Sequence, residues 1–188
     1  MMDEFDEFDE IHLPRKIYEM IEKKVVSLYC RLNLTQVPID PFQIANRLGF
    51  VVKTFSDLPD EKQAILRELD LDGFSFIDSE SRLRIICYDD NRMQVRIRFT
   101  IMHEIGHILL GHREESDLAK KMADYFAAYS LAPSPLMNRY RCDDYIDVMD
   151  TFDVSQDCAY ICFQRFNNWL HYGGSLKRYE MDLLDLFS

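Results

Sequence analysis

The sequence predicts a mixed fold in which a short block of strands is flanked by helices. Three observations carry this. Apolar residues recur at helical spacing from Ile17 to Leu32, strand-like runs occupy Phe50 to Phe55 and much of Gly73 to Tyr88, and helical spacing returns from Val95 onward.

Taken in order, the opening MMDEFDEFDE holds six Asp or Glu residues and too little apolar content to pack by itself. Residues 1–13 therefore read as a mobile acidic tail and residues 14–188 as one domain, with a C-terminal helix and tail from about 155. A helix is expected from about Pro14 to Leu32, through Ile17, Ile21, Val25 and Leu28. Asp40-Pro41-Phe42-Gln43 marks a second start: Asp40 can cap, Pro41 suits the first helical position and Gln43 can complete a capping box. Gly49 should stop that helix. Phe50 to Phe55 reads as a strand, Ser56 to Leu71 as a charged connection, and Gly73 to Ile77 with Leu83 to Tyr88 as a hairpin turning at Asp78, Ser79, Glu80 and Ser81.

The period then changes. Val95, Phe99, Met102 and Gly106 predict a long helix from about Asn91 to Leu110, ended by Gly111. Ser116 can cap another running to about Ala132, where Pro133 and Pro135 prevent continuation. Ser155 can cap a last helix through Tyr160, Phe163 and Trp169, stopping at Gly173 and Gly174.

A chain of 188 residues, 47% hydrophobic, can bury a sizeable core. Its net charge of -11 repels phosphate backbones and anionic lipid, which argues against a DNA-binding regulator or a membrane-surface protein. No helix-turn-helix pattern appears outside the short Asp40 to Gly49 unit. No run approaches the roughly twenty apolar residues needed to span a bilayer, and the start lacks the basic and apolar regions of a signal peptide. A cytoplasmic location follows as an expectation. The five cysteines are odd in number and contain no CxxC pair, which suits reduced thiols. Cys158 and Cys162 can share a helix face, where a buried apolar role is the plain expectation.

The chemistry concentrates in His103-Glu104-Ile105-Gly106-His107. Four residues of helix put the two imidazoles one above the other on one face, within reach of one ion. Neutral imidazole suits zinc, and a catalytic site leaves a position to water. Glu104, about 100° around the helix from His103, is the natural general base beside that water. Such a string arises by accident in a chain of this length on the order of once in a hundred, so context decides. The motif lies within the apolar run Phe99 to Leu110, where unpartnered histidines and a carboxylate would be costly to bury.

Other residues carry weaker signals. His112 follows His107 by five positions, the wrong spacing for the HExxHxxGxxH metzincin pattern, and reads as a solvent-facing histidine near a helix C-terminus. Tyr88 and Tyr125 are candidates to stabilise an oxyanion, although core or rim packing is the commoner use of such aromatics. Arg92, Arg96 and Arg98 either dock an acidic partner or form a solvated helix face paired with the surplus carboxylates.

The blocks RFTIMHEIGHILLGH and ADYFAAYSLAPSPLM, with VPIDPFQIANRLGF and DGFSFI upstream, resemble the ImmA/IrrE family of metallopeptidases. The resemblance implies a zincin-like α+β fold, a small twisted sheet packed on the HExxH helix with further helices. It also implies a cytoplasmic zinc endopeptidase that cleaves a helix-turn-helix repressor, with relatives that cut or displace regulators in stress responses. Members of the family usually carry a glutamate ligand at the place where this chain has Lys120, and a protonated lysine cannot coordinate zinc. Asp124 is therefore the expected third ligand after His103 and His107. Its rival role is to hydrogen-bond a ligand histidine and fix its tautomer. Asp117, Glu114 and Glu115 are reserves. Lys120 also motivates an alternative in which the module sequesters a transcriptional regulator without cutting it. By analogy with zincins, an exposed edge at Gly73 to Ile77 would take a substrate as an added strand.

Overall fold

The computed structural model describes residues 13–114, 116–172 and 175–188. The acidic opening up to residue 12, the reserve ligand Glu115 and the Gly173–Gly174 stop lie outside the described residues. Leu13, assigned to the tail from sequence, is buried in the core.

Helix α1 (Arg15–Leu32) buries Ile21, Val25, Leu28 and Tyr29 along one stripe and ends at Asn33 in the left-handed conformation. Helix α2 (Pro41–Arg47) starts as expected: Asp40 Oδ1 accepts the Phe42 N–H at 2.9 Å and Pro41 fills the first turn. The cap is this single bond rather than a box with Gln43. The chain leaves the helix through Gly49 at φ +75°, a left-handed position that favours glycine.

Strand β1 (Val51–Thr54) follows, and then the charged connection departs from expectation by containing helix α3 (Asp60–Glu68). Pro59 precedes it, Asp60 and Glu61 sit in its first turn where the helix dipole favours carboxylates, and its Leu66 packs beneath the sheet with Phe55, Phe74, Ile85 and Cys87. Strands β2 (Gly73–Ile77) and β3 (Arg84–Tyr88) form the expected antiparallel hairpin, with Asp78 Oδ2 accepting from the Ser81 N–H and hydroxyl.

The sheet has the order β1-β3-β2, with β1 parallel to β3, so β3 is central and β2 is an edge. Alternate residues of β3 serve two cores. Ile86 joins the main core, whereas Ile85 and Cys87 face the smaller cluster under α3.

Helix α4 (Gln94–Leu110) begins later than Asn91 because Asp89 Oδ1 turns the preceding loop by accepting from the Asn91 N–H. Ile97, Ile101 and Ile105 make its buried stripe, and Gly111 at φ +77° ends it. Helix α5 (Asp117–Leu131) is capped by Ser116, whose Oγ accepts the Ala119 N–H. Helices α4 and α5 pack along their length, with Ala123 and Ala127 permitting close approach and Phe126 seated on Gly106.

Beyond the prolines the chain forms α6 (Ser134–Tyr140) and α7 (Tyr145–Phe152), neither anticipated from sequence. Pro135 lies in the first turn of α6, and Asp144 caps α7 through the Ile146 and Asp147 N–H groups. Helix α8 (Gln156–Tyr172) carries the expected bond from the Cys158 N–H to Ser155 Oγ. Its Cys158 and Cys162 are buried and unbridged, as a core role requires. Helix α9 (Arg178–Leu186) settles the place of the C-terminal segment: Tyr179, Leu183 and Phe187 are buried in the main core, and Trp169 Nε1 donates to Glu180 at 2.8 Å.

The result is a zincin-like α+β fold, a small three-stranded sheet packed against the helix that carries the histidine motif. Among the described residues no helix is long and apolar enough to cross a membrane.

Candidate metal centre

Helical spacing brings the two motif histidines together. Their ring centroids are 4.7 Å apart and the two Nε2 atoms face one another at 3.0 Å. Two nitrogens each about 2.0 to 2.1 Å from one tetrahedral ion stand roughly 3.3 Å apart, so the pair fits two positions around zinc. Glu104, on the neighbouring face of the helix, is buried.

Asp124 comes from α5. Its Oδ1 lies 2.8 Å from Nδ1 of His103, on the far side of the ring from the nitrogen that faces His107. A carboxylate held there cannot at the same time reach an ion at Nε2, since the two ring nitrogens point away from each other. This is the arrangement of the rival role, in which the carboxylate holds a ligand histidine from behind, rather than that of a third ligand.

His112 is also not where sequence put it. Gly111 turns the chain back, the His112 N–H donates to the His107 carbonyl at 3.1 Å, and the two side chains meet at Nδ1 with a separation of 3.0 Å. The ring is half-buried rather than solvent-facing, and its Nε2 is buried with no hydrogen-bond partner among the described residues. The signal that could have found it is the glycine immediately before it, which permits the reversal.

Burial pushes the His107 pKa down to about 4, aided by repulsion from His103 and His112 and opposed by Asp124. Burial, with His103, also lowers that of His112. His107 is therefore neutral at pH 7, the form that offers a lone pair to a metal.

The remaining candidates do not join the centre. Lys120, Glu114 and Asp117 are exposed. Among the described residues no group of three or more His, Cys, Asp or Glu side chains is arranged to hold a metal ion. The Tyr125 hydroxyl donates to Glu22 of α1 at 2.6 Å, which removes it as an oxyanion donor. Tyr88 packs edge-on against Phe42 with centroids 5.7 Å apart, the core role.

Among the arginines, Arg92 pairs with Asp70, Asp72 and Asp89, and Arg96 with Asp72. Arg98 differs, being largely buried and donating to the carbonyls of Ile39, Phe152 and Asp153. It clamps α4 to the approach to α2 and to the end of α7.

Residues 51–160 match the family model of the IrrE N-terminal-like domain of M78 peptidases. The match begins at β1, takes in both motif helices and ends within α8. No curated protein matches the chain. With more than half of its length matched, and the motif helix at the middle of the match, the chain belongs to the IrrE N-terminal-like domain family and is of metallopeptidase type.

Proposed function

We propose that the protein is a zinc-dependent endopeptidase of the cytoplasm that hydrolyses a peptide bond in a regulatory protein, a helix-turn-helix transcriptional repressor. The observation that carries this reading is the convergence of the His103 and His107 Nε2 atoms at 3.0 Å, with Asp124 behind His103.

In this reading His103 and His107 hold the ion through Nε2, and Asp124 keeps the His103 hydrogen on Nδ1. Zinc held there would supply Lewis acidity to a peptide carbonyl and would ease deprotonation of the attacking water. Glu104 takes the proton of the attacking water and delivers it to the leaving amine. Its place supports that role, since the buried carboxylate lies on the face of the helix next to the two histidines. Strand β2 has no strand on its outer side among the described residues, and an extended substrate segment is expected to pair along it.

The test is metal content followed by cleavage. Purified protein should contain zinc and cut a helix-turn-helix repressor, sought first among the products of neighbouring genes. Glu104→Gln should keep the zinc and abolish cutting, and a variant that still cuts at the normal rate would exclude Glu104 as the base.

A second reading has the observation of Lys120 and the absence of a third protein donor among the described residues in its favour. Here the module binds and sequesters the regulator without cutting it. Derepression would then survive Glu104→Gln, and chelator-sensitive proteolysis would eliminate this alternative.

A further inference from the structure

Resting on the reading that the protein acts on a regulatory protein, we infer that the cleft between α3 and the turn before α4 is a docking site for a basic amphipathic helix of that partner. The metal plays no part in it.

The cleft has a volume of about 350 Å³. Phe55, Leu66 and Leu71 give it apolar walls, and Asp70, Asp89 and Arg92 line its polar side. Apolar surface continues onto the neighbouring residues. Leu71 is 39% exposed, and Ile65, Leu69 and Met93, each next in the chain to a lining residue, are 56%, 60% and 76% exposed. Single exposed apolar side chains are ordinary, but several gathered on the segments that form one apolar cleft mark a surface that meets another protein.

Charge decides what kind of protein that is. Residues 55–72 and 89–92, which carry the lining side chains, hold eight Asp or Glu and three Lys or Arg, close to half of the chain's net charge of -11. Asp70, Asp72 and Asp89 share Arg92, and Arg96 is a second partner for Asp72. Asp70 keeps 83% of its side chain exposed despite its ion pair, and Asp60, Glu61 and Glu68 add exposed carboxylates along α3. Like charge repels a second copy of this chain, its own acidic opening and nucleic acid. A helix with Lys or Arg flanking apolar side chains suits both properties: the apolar anchors enter the cleft and the cations meet its carboxylate rim. Regulators that bind nucleic acid carry basic helices, because they must neutralise phosphates. Such a helix, once held here, is withheld from DNA.

His103 stands nine residues along α4 from Gln94, about 14 Å at the helical rise of about 1.5 Å per residue. The cleft is therefore apart from the histidine pair, yet near enough for one regulator to touch both.

The probe is a synthetic amphipathic helix of leucine and lysine, titrated by fluorescence anisotropy into the full wild-type chain without added metal and located by nitrogen-15 NMR. Amide shifts should move at Leu66, at residues 69–71 and at residues 89–93. Leu71→Ser and Asp70→Lys, both at exposed positions, should weaken binding about tenfold and about threefold respectively. Asp150→Lys on α7, the same change of charge at another exposed site, should stay within about twofold of wild type. Shifts centred elsewhere, equal binding of a peptide with serine in place of leucine, or equal binding by Leu71→Ser and wild type would overturn the docking site. A chain that holds the peptide in the cleft and cuts no regulator would support the docking site and remove the peptidase reading. One that cuts a regulator equally well with both cleft substitutions in place would do the reverse.

Discussion

Asp124 approaches His103 from behind: its Oδ1 meets Nδ1 at 2.8 Å while the opposite nitrogen of the same ring faces His107. The carboxylate is 43% exposed, so removing it should leave the fold intact. Asp124→Ala is expected to weaken zinc binding about 10- to 100-fold, the usual effect of losing a partner behind a ligand histidine. His103→Ala should abolish binding. Calorimetric titration of the two variants separates the roles, since equal losses would make Asp124 a ligand in its own right.

Helices α4 and α5 are in close contact where Gly106 meets Phe126. A Cβ at residue 106 would lie 3.0 Å from Phe126 Cδ1 and 3.2 Å from its Cβ. Phe126 is fully buried and has nowhere to retreat. Gly106→Ala gains about 1 kcal/mol in helix propensity but overpacks the crossing at about 1 to 3 kcal/mol. Urea denaturation of the metal-free chain should show a net loss of about 1 kcal/mol, the balance of those two effects. A more stable variant would mean that Phe126 yields.

Acid should destabilise the metal-free chain before most carboxylates titrate. His107 binds its proton near pH 4 in the folded state, and near 6.5 when unfolded. Between these values the unfolded state holds more protons, so the contribution is present above about 6.5 and is lost as pH falls toward about 4. His112, shifted in the same direction, adds to the slope. Denaturation midpoints across this window should fall with pH, and His107→Gln should flatten the dependence; an unchanged slope would refute the assignment.

Glu22 joins three helices. Its carboxylate accepts from the Tyr125 hydroxyl of α5 and the Tyr179 hydroxyl of α9. Glu22→Ala would leave both buried hydroxyls short of an acceptor and should cost about 1 to 3 kcal/mol in urea denaturation. Burial and the carboxylate raise the pKa of both tyrosines. The unfolded chain loses these protons first, so stability present below about pH 10 should be lost as pH rises beyond it. An alkaline limb that persists unchanged in Tyr179→Phe would remove Tyr179 as its source.

The histidine pair was legible because helix periodicity alone sets residues 103 and 107 on one face. Asp124 was legible as a participant, and which of its two expected roles the geometry favours depends on how α4 and α5 cross. His112 escaped because its place depends on one left-handed turn at Gly111 rather than on spacing along a helix. The strands and the caps at Asp40, Ser116 and Ser155 followed from local chemistry. The short helices α3, α6, α7 and α9 did not, since each spans two turns or so and draws most of its stability from packing. In α3 the decisive residue is Leu66, whose apolar partners come from the sheet's second face. Arg98 looked like its neighbours Arg92 and Arg96 because nothing in its own stretch of chain reveals the carbonyls of Ile39 and Phe152.

Those carbonyls give kinship and folding different borders. Ile39 precedes the family-matched segment, and so do Glu22 and the rest of α1; Tyr179 and α9 come after it. A fragment cut to residues 51–160 would keep both histidines and strip the motif helix of an anchor for Arg98 and its neighbour Tyr125 of an acceptor. The piece that keeps these anchors is therefore larger than the piece that marks its ancestry.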